Sequence, residues 1–118
     1  MKEKFLELGF KEIGEFKSLT LKLDLERIYE NYNPSNIVWT VLTDEEILYI
    51  GETINSINEV IKDLENGNIN RDTRNKIHLL ITEHILKNRI YLFVDESGIN
   101  TKEDLIRQFQ PFGNNHKK

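Results

Sequence analysis

Two short apolar runs constrain this chain most. Ile37, Val38, Trp39, Val41 and Leu42 form the first, Ile47, Leu48, Tyr49 and Ile50 the second, and Asp44, Glu45 and Glu46 separate them. β-Branched and aromatic side chains suit a pleated surface, so Asn36 to Thr53 reads as a β-hairpin with an acidic turn. Neither run alternates with polar residues, which predicts a strand pair with little solvent on either face. Gly51 ends the second run, at a point where the chain turns sharply or another group approaches the backbone closely.

Around this hairpin the chain reads as an ordered series of elements. Residues 1–17 mix Lys and Glu with Phe5, Leu6, Leu8, Phe10, Ile13 and Phe16, the pattern of a short helix or irregular arm laid on the core. Leu19, Leu21, Leu23 and Leu25 alternate with polar residues, which predicts a strand with one wet face. Glu26 to Asn36, with Ile28, Tyr29, Tyr32 and Pro34, reads as a connection. Ile57, Val60, Ile61 and Leu64 recur at helical spacing, so 55–66 is an amphipathic helix, capped by Asn55 or Ser56 and stopped by Gly67. A second helix is expected from about Thr73 to Asn88, capped by Asp72 or Thr73, with Ile77, Leu80, Ile81, Ile85 and Leu86 on its buried stripe. Ile90 to Val94 reads as a buried strand. Thr101 and Asp104 have capping-box spacing for a last helix that Pro111 ends, and 114–118 reads as a polar tail. The order predicts an α+β domain: a small, mainly antiparallel sheet flanked by helices, with the second helix carrying the chain across the sheet to the last strand.

With 118 residues, one domain spanning 1–118 is expected. No apolar run is long enough to span a bilayer, and Met1 to Glu7 lacks the apolar core of a secretory signal, so no membrane association and a cytoplasmic location are expected. The absence of cysteine excludes disulfides, thiolate nucleophiles and cysteine-based zinc sites. The formal net charge of −4 is unlike that of most nucleic-acid binders, so any phosphate contact requires a local basic face.

Tyr49-Ile50-Gly51 after Ile37-Val38-Trp39, separated by one strand and one turn, resembles the two-part signature of the GIY-YIG nuclease family. Phe10-Lys11-Glu12-Ile13-Gly14 is similar to the arm that opens some members. Thr73-Arg74-Asn75-Lys76-Ile77 is similar to the start of their second helix. The stretch from Leu105-Ile106 to Pro111 and Asn114 is similar to their closing helix. The resemblance implies a GIY-YIG nuclease-like fold and metal-assisted phosphodiester hydrolysis of DNA. Its parts are two tyrosines, a helix arginine and a C-terminal glutamate. A carboxylate holds Mg²⁺ or Mn²⁺ against the phosphate, an arginine neutralises the phosphoryl oxygens, and a phenol relays a proton.

This chain departs from that set at three positions. Trp39 stands where the first tyrosine belongs, and an indole N–H donates but cannot act as a base. The first helix has no arginine; Lys62 is its only cation and lacks the planar guanidinium fork. Lys102 occupies the place of the glutamate, with Glu103 one residue later, about 100° further round a helix. Three losses together imply weak or absent cleavage. Tyr49, Lys62 and Glu103 are the candidate catalytic groups, Glu103 the candidate ligand for Mg²⁺ or Mn²⁺, and Arg71, Arg74, Lys76 and Asn114 the candidate nucleic-acid contacts. Each has a plainer structural reading. Trp39 and Tyr49 suit a core, Gly51 backbone geometry, Glu103 the start of a helix, and Asn114 a tail. For Arg71, Arg74 and Lys76 the plainer reading is a solvated face, with Asp63, Glu65 and Asp72 close in sequence, although cations near a helix start oppose its dipole. His78, His84 and His116 lack the spacing of metal ligands. Two functions remain open: a nuclease-like domain that retains nucleic-acid binding, with DNA as partner, or a protein-interaction module on the same fold.

Overall fold

A computed structural model describes residues 1–25 and 31–114. The hairpin is its centre. Strand β3 (Ser35–Leu42) pairs antiparallel with β4 (Ile47–Ser56), Trp39 opposite Gly51 and Val41 opposite Tyr49. Strands β1 (Lys11–Phe16), β2 (Leu23–Leu25) and β5 (Tyr91–Asp95) complete a five-stranded sheet in the order β2-β1-β5-β3-β4. Every pairing is antiparallel, so β5 enters the middle of the sheet rather than adding a parallel strand.

Both faces of the sheet are covered, which explains the unbroken apolar runs. On one face Ile37, Trp39, Val41, Leu92 and Val94 pack against helices α2 (Ile57–Asn66) and α3 (Asp72–His84) through Val60, Leu64, Ile77 and Ile81. On the other, Leu42, Ile50, Tyr91 and Phe93 meet Phe5 of α1 (Lys2–Glu7) and Leu105 of α4 (Lys102–Phe109). Alternate residues of one strand thus serve two cores. The result is an α+β domain with helices on both sides of an antiparallel sheet. Among the described residues no helix is long and apolar enough to cross a membrane.

Two expected elements differ. Lys11 to Phe16 is a strand rather than an arm. A register shift between Glu12 and Gly14 lets Ile13 and Phe16 share one face, and this bulge hides the strand's two-residue period. The leucine alternation from Leu19 yields only the three-residue β2. Lys17 N–H donates to Lys22 O at 2.8 Å, Leu21 adopts φ +62°, and Leu19 is left 96% exposed, so a turn consumes the first half of the pattern. Ile28, Tyr29 and His116 lie outside the described residues.

The helix ends follow their neighbours as much as their own sequence. Thr101 Oγ1 accepts from Asp104 N–H at 3.2 Å, as its spacing predicts, and Gly67 (φ +78°) ends α2. The start of α2 is held from outside: Ile57 N–H donates to Pro34 O at 2.9 Å and Asn58 N–H to Asn33 Oδ1 at 3.0 Å. Ser56 takes the N-cap position, as one of the two expected residues, but its side chain makes no cap hydrogen bond. Arg71 rather than Asp72 or Thr73 takes the N-cap position of α3, with no side-chain cap, and α3 ends at His84, which leaves Leu86 exposed beyond it.

Candidate functional site

Trp39 and Tyr49 sit side by side on the α2/α3 face, ring centroids 5.5 Å apart and planes tilted by 34°. The indole lies directly against Gly51: a Cβ there would fall 2.5 Å from Cζ2 and 2.6 Å from Cε2. Gly51 therefore serves close approach. Its backbone needs no turn, because β4 continues through it to Ser56. Trp39 is 1% exposed, and its Nε1 is the buried side-chain nitrogen or oxygen without a hydrogen-bond partner among the described residues. An unsatisfied buried donor costs about 1–3 kcal/mol. Burial pushes the Tyr49 phenol above its ordinary value, with the Arg74 guanidinium pulling partly the other way. Tyr49 is thus a neutral donor at physiological pH.

The guanidinium reaches this pair from α3, and a carboxylate on α2 fixes it. Asp63 Oδ2 accepts from Arg74 at 2.8 Å while Asp63 Oδ1 accepts from Asn68 Nδ2 at 3.0 Å. Asn75 Oδ1 in turn accepts from Asn68 N–H at 3.1 Å. This clasp docks the first turn of α3 on the end of α2 and holds Arg74, buried, beside Tyr49. Arg71 stays exposed, 3.9 Å from Glu59.

These groups line a cleft of about 370 Å³. Trp39, Tyr49, Gly51 and Glu52 come from the hairpin, Arg71 from the residue before α3, Asp72 to Arg74 and Ile77 from α3, and Lys102 from the start of α4. A second hollow of about 530 Å³ runs on along Asn36 to Val38 and Glu52 to Asn55, and Glu52, Arg71 and Arg74 belong to both. Together they form one groove beside the hairpin, with arginines at its middle.

Of the residues singled out in the sequence, Tyr49, Arg71 and Arg74 meet in this groove. Lys62, exposed on α2, does not line it. Neither does Glu103, which is exposed in the first turn of α4; Lys102, one residue earlier, lines it instead. Lys76 lines a separate hollow with Glu45, Glu46 and Phe112. Asn114 clips the chain end to the sheet: its Oδ1 accepts from Ile50 N–H at 2.7 Å and its Nδ2 donates to Ile50 O at 2.9 Å. It thereby satisfies a stretch of the edge strand β4. His78 and His84 each place Nδ1 against a backbone carbonyl, of Leu64 at 2.7 Å and of Leu80 at 2.8 Å. The Asp63–Arg74 pair and the approach of Arg74 to Tyr49 are not legible in the sequence. The partners lie eleven positions apart in the chain, and nothing in the intervening link signals their contact.

The groove's donor set does not fit a resident divalent cation. Its acids, Glu52 and Asp72, are exposed and stand among Arg71, Arg74 and Lys102. No group of three or more His, Asp or Glu side chains that could hold a metal occurs among the described residues. Magnesium-type sites need one or two carboxylates aimed at the ion, with few competing cations.

No protein-family model matches this chain, and no curated protein matches it in sequence. Among solved structures it is similar to a mutant form of bacteriophage T4 EndoII, with a TM-score of 0.68 at 19% identity, over 95% of this chain and 96% of that one. EndoII is a GIY-YIG-type nuclease, and the likeness shows that this chain has a nuclease-like α+β fold.

Proposed function

We propose that this chain is a nuclease-fold domain that grips nucleic acid, DNA in the first instance, along the groove beside Trp39 and Tyr49, and cleaves it weakly or not at all. The observation that carries this reading is the grouping of Arg71, Arg74 and Lys102 on one groove in a chain of net charge −4. Phosphate contacts supply most nonspecific affinity, and a local basic face suffices for them. The likeness to a phage endonuclease adds the fold on which such a groove is built.

Grip is favoured over cleavage by the proton chemistry. An indole cannot accept a proton, and a phenol whose pKa is raised by burial holds its own. Lys62 and Glu103, the remaining groups that the resemblance offers for Mg²⁺- or Mn²⁺-assisted hydrolysis, stand outside the groove lining. Arg71, Arg74 and Tyr49 can bind and orient a phosphate without activating water.

Fluorescence anisotropy of a labelled DNA duplex across a salt series tests the proposal. Affinity should fall steeply with salt, and Arg71→Ala should lower the log–log slope by about one. No binding at low salt would remove nucleic acid as the partner and favour the protein-interaction module. Plasmid incubated with Mn²⁺, beside a Glu103→Ala variant, tests the second half. Rapid cleavage by the parent chain that Glu103→Ala abolishes would overturn it.

A further inference from the structure

We infer that the cleft holds one phosphate group through side chains alone, with the Lys102 ammonium serving the electrostatic role that a divalent cation serves in metal-dependent sites. The inference rests on the reading that this groove binds nucleic acid, and adds how it does so.

Two independent observations meet here. The first is a buried donor with nothing to bond. Trp39 is 1% exposed and lines the cleft, and its Nε1–H has no acceptor among the described residues. The Cε2–Cζ2–Cη2 edge of the indole lies against Gly51, another residue of the cleft. A phosphoryl oxygen is an acceptor suited to such a donor, whereas a bound cation would leave it unsatisfied. The second is the balance of charge. Arg74 is committed to Asp63 at 2.8 Å, and Arg71 makes only a loose pair with Glu59 at 3.9 Å. Lys102 has no ion-pair partner among the described residues.

Lys102 also stands in the first turn of α4, where a cation opposes the helix dipole. Helix stability therefore does not account for it. An anion bound in the cleft would offset that cost and partner the ammonium together with Arg71. A dication would meet Arg71, Arg74 and Lys102 with two exposed acids to oppose them.

Trp39 is the one tryptophan of the chain, so its fluorescence reports on this cleft. The probe is a thymidine dinucleotide, which carries one phosphodiester, titrated in EDTA and again in millimolar Mg²⁺. A saturable change of Trp39 emission is expected in EDTA, with affinity altered by less than about twofold when Mg²⁺ is added. Lys102→Ala should weaken binding about tenfold, and Lys102→Arg should restore most of it. Lys102→Glu should abolish binding in EDTA. Because Lys102 is unfavourable for its helix, Lys102→Ala should melt no lower than the parent, which excludes misfolding as the cause. Binding that requires Mg²⁺, or that survives Lys102→Ala unchanged, would overturn the inference. A dinucleotide that leaves Trp39 emission unchanged while the duplex still binds would sink this inference and spare the proposed function. Failure of both ligands would remove the two together.

Discussion

Replacing Gly51 by Ala tests the packing on which the cleft depends. The new methyl would sit 2.5 Å from Trp39 Cζ2 and 2.6 Å from Cε2, closer than real carbon contacts allow. The indole cannot swing away, because it is 1% exposed and packed against Tyr49. The backbone cannot easily retreat, because Gly51 is held in register with Trp39 in the hairpin. Overpacking of this kind costs about 1–3 kcal/mol, and the severity of the clash argues for the upper half of that range. Against it stands about 0.4–1 kcal/mol gained because alanine restricts the unfolded chain. The net loss should be about 2 kcal/mol, which moves a urea midpoint down by roughly 1 M at a typical slope. Trp39→Phe alone should cost about 1–2 kcal/mol in lost volume, reduced by removal of the orphaned N–H. The double variant should then be more stable than the two losses added together, by at least about 1 kcal/mol, since the shorter ring makes room for the methyl. Equilibrium urea unfolding of the four proteins measures this. Additivity to within about 0.5 kcal/mol would refute the claim that Gly51 is required by the indole.

Other substitutions separate structural from binding roles. Asn114→Ala removes two hydrogen bonds to the Ile50 backbone and should destabilise the protein by about 1–2 kcal/mol in thermal melts, with little effect on the salt slope of DNA binding. Arg74→Ala leaves Asp63 largely buried without its cation and should cost about 2–3 kcal/mol; Asp63→Asn in the same chain should recover part of that, read by urea unfolding. Acid should weaken the Glu15–Arg89 pair. Arg89 donates to both Glu15 oxygens, at 2.8 and 2.7 Å, and holds that carboxyl below its ordinary value of 4.5. Its stabilisation is present above that ordinary value and is lost as pH falls through the depressed one. The stability difference between the parent and Arg89→Gln should therefore be small, because solvent screens an exposed pair, constant near neutrality, and gone in strong acid.

How far the sequence discloses this molecule depends on the range of each interaction. The hairpin was legible because its apolar runs are local and lack alternation, which is what burial on both faces requires. The closing helix was legible because Thr101 and Asp104 sit at capping distance in the chain. β1 was not, because its bulge breaks the period that would reveal it. β2 is shorter than the leucine alternation predicts, because that alternation continues through a turn that only the backbone of Leu21 discloses. The N-cap position of α2, Ser56, is legible, but the acceptors that satisfy its first N–H groups are not, because Asn33 and Pro34 come from a different segment. Asn114 looked like tail because its partner lies 64 residues away.

The site follows the same rule, with a consequence for function. Its residue types could be named in advance, but their grouping is set by contacts between layers. A search for a guanidinium on α2 finds only Lys62, which lies outside the groove. The guanidinium beside Tyr49 comes from α3, seated by a carboxylate on α2. At α4 the one-residue offset between Lys102 and Glu103 decides which sign of charge enters the cleft. Sequence spacing leaves that choice open, since helix boundaries read from pattern are uncertain by more than one residue. The fold resolves it in favour of the ammonium. A cleft with an extra cation, an indole in place of a phenol and a phenol that keeps its proton is suited to hold an anion in its ground state. Cleaving a phosphodiester needs more: charge and proton acceptance placed where the transition state develops them. These residues supply the first requirement and omit the second, and the proposal of binding over hydrolysis rests on that difference.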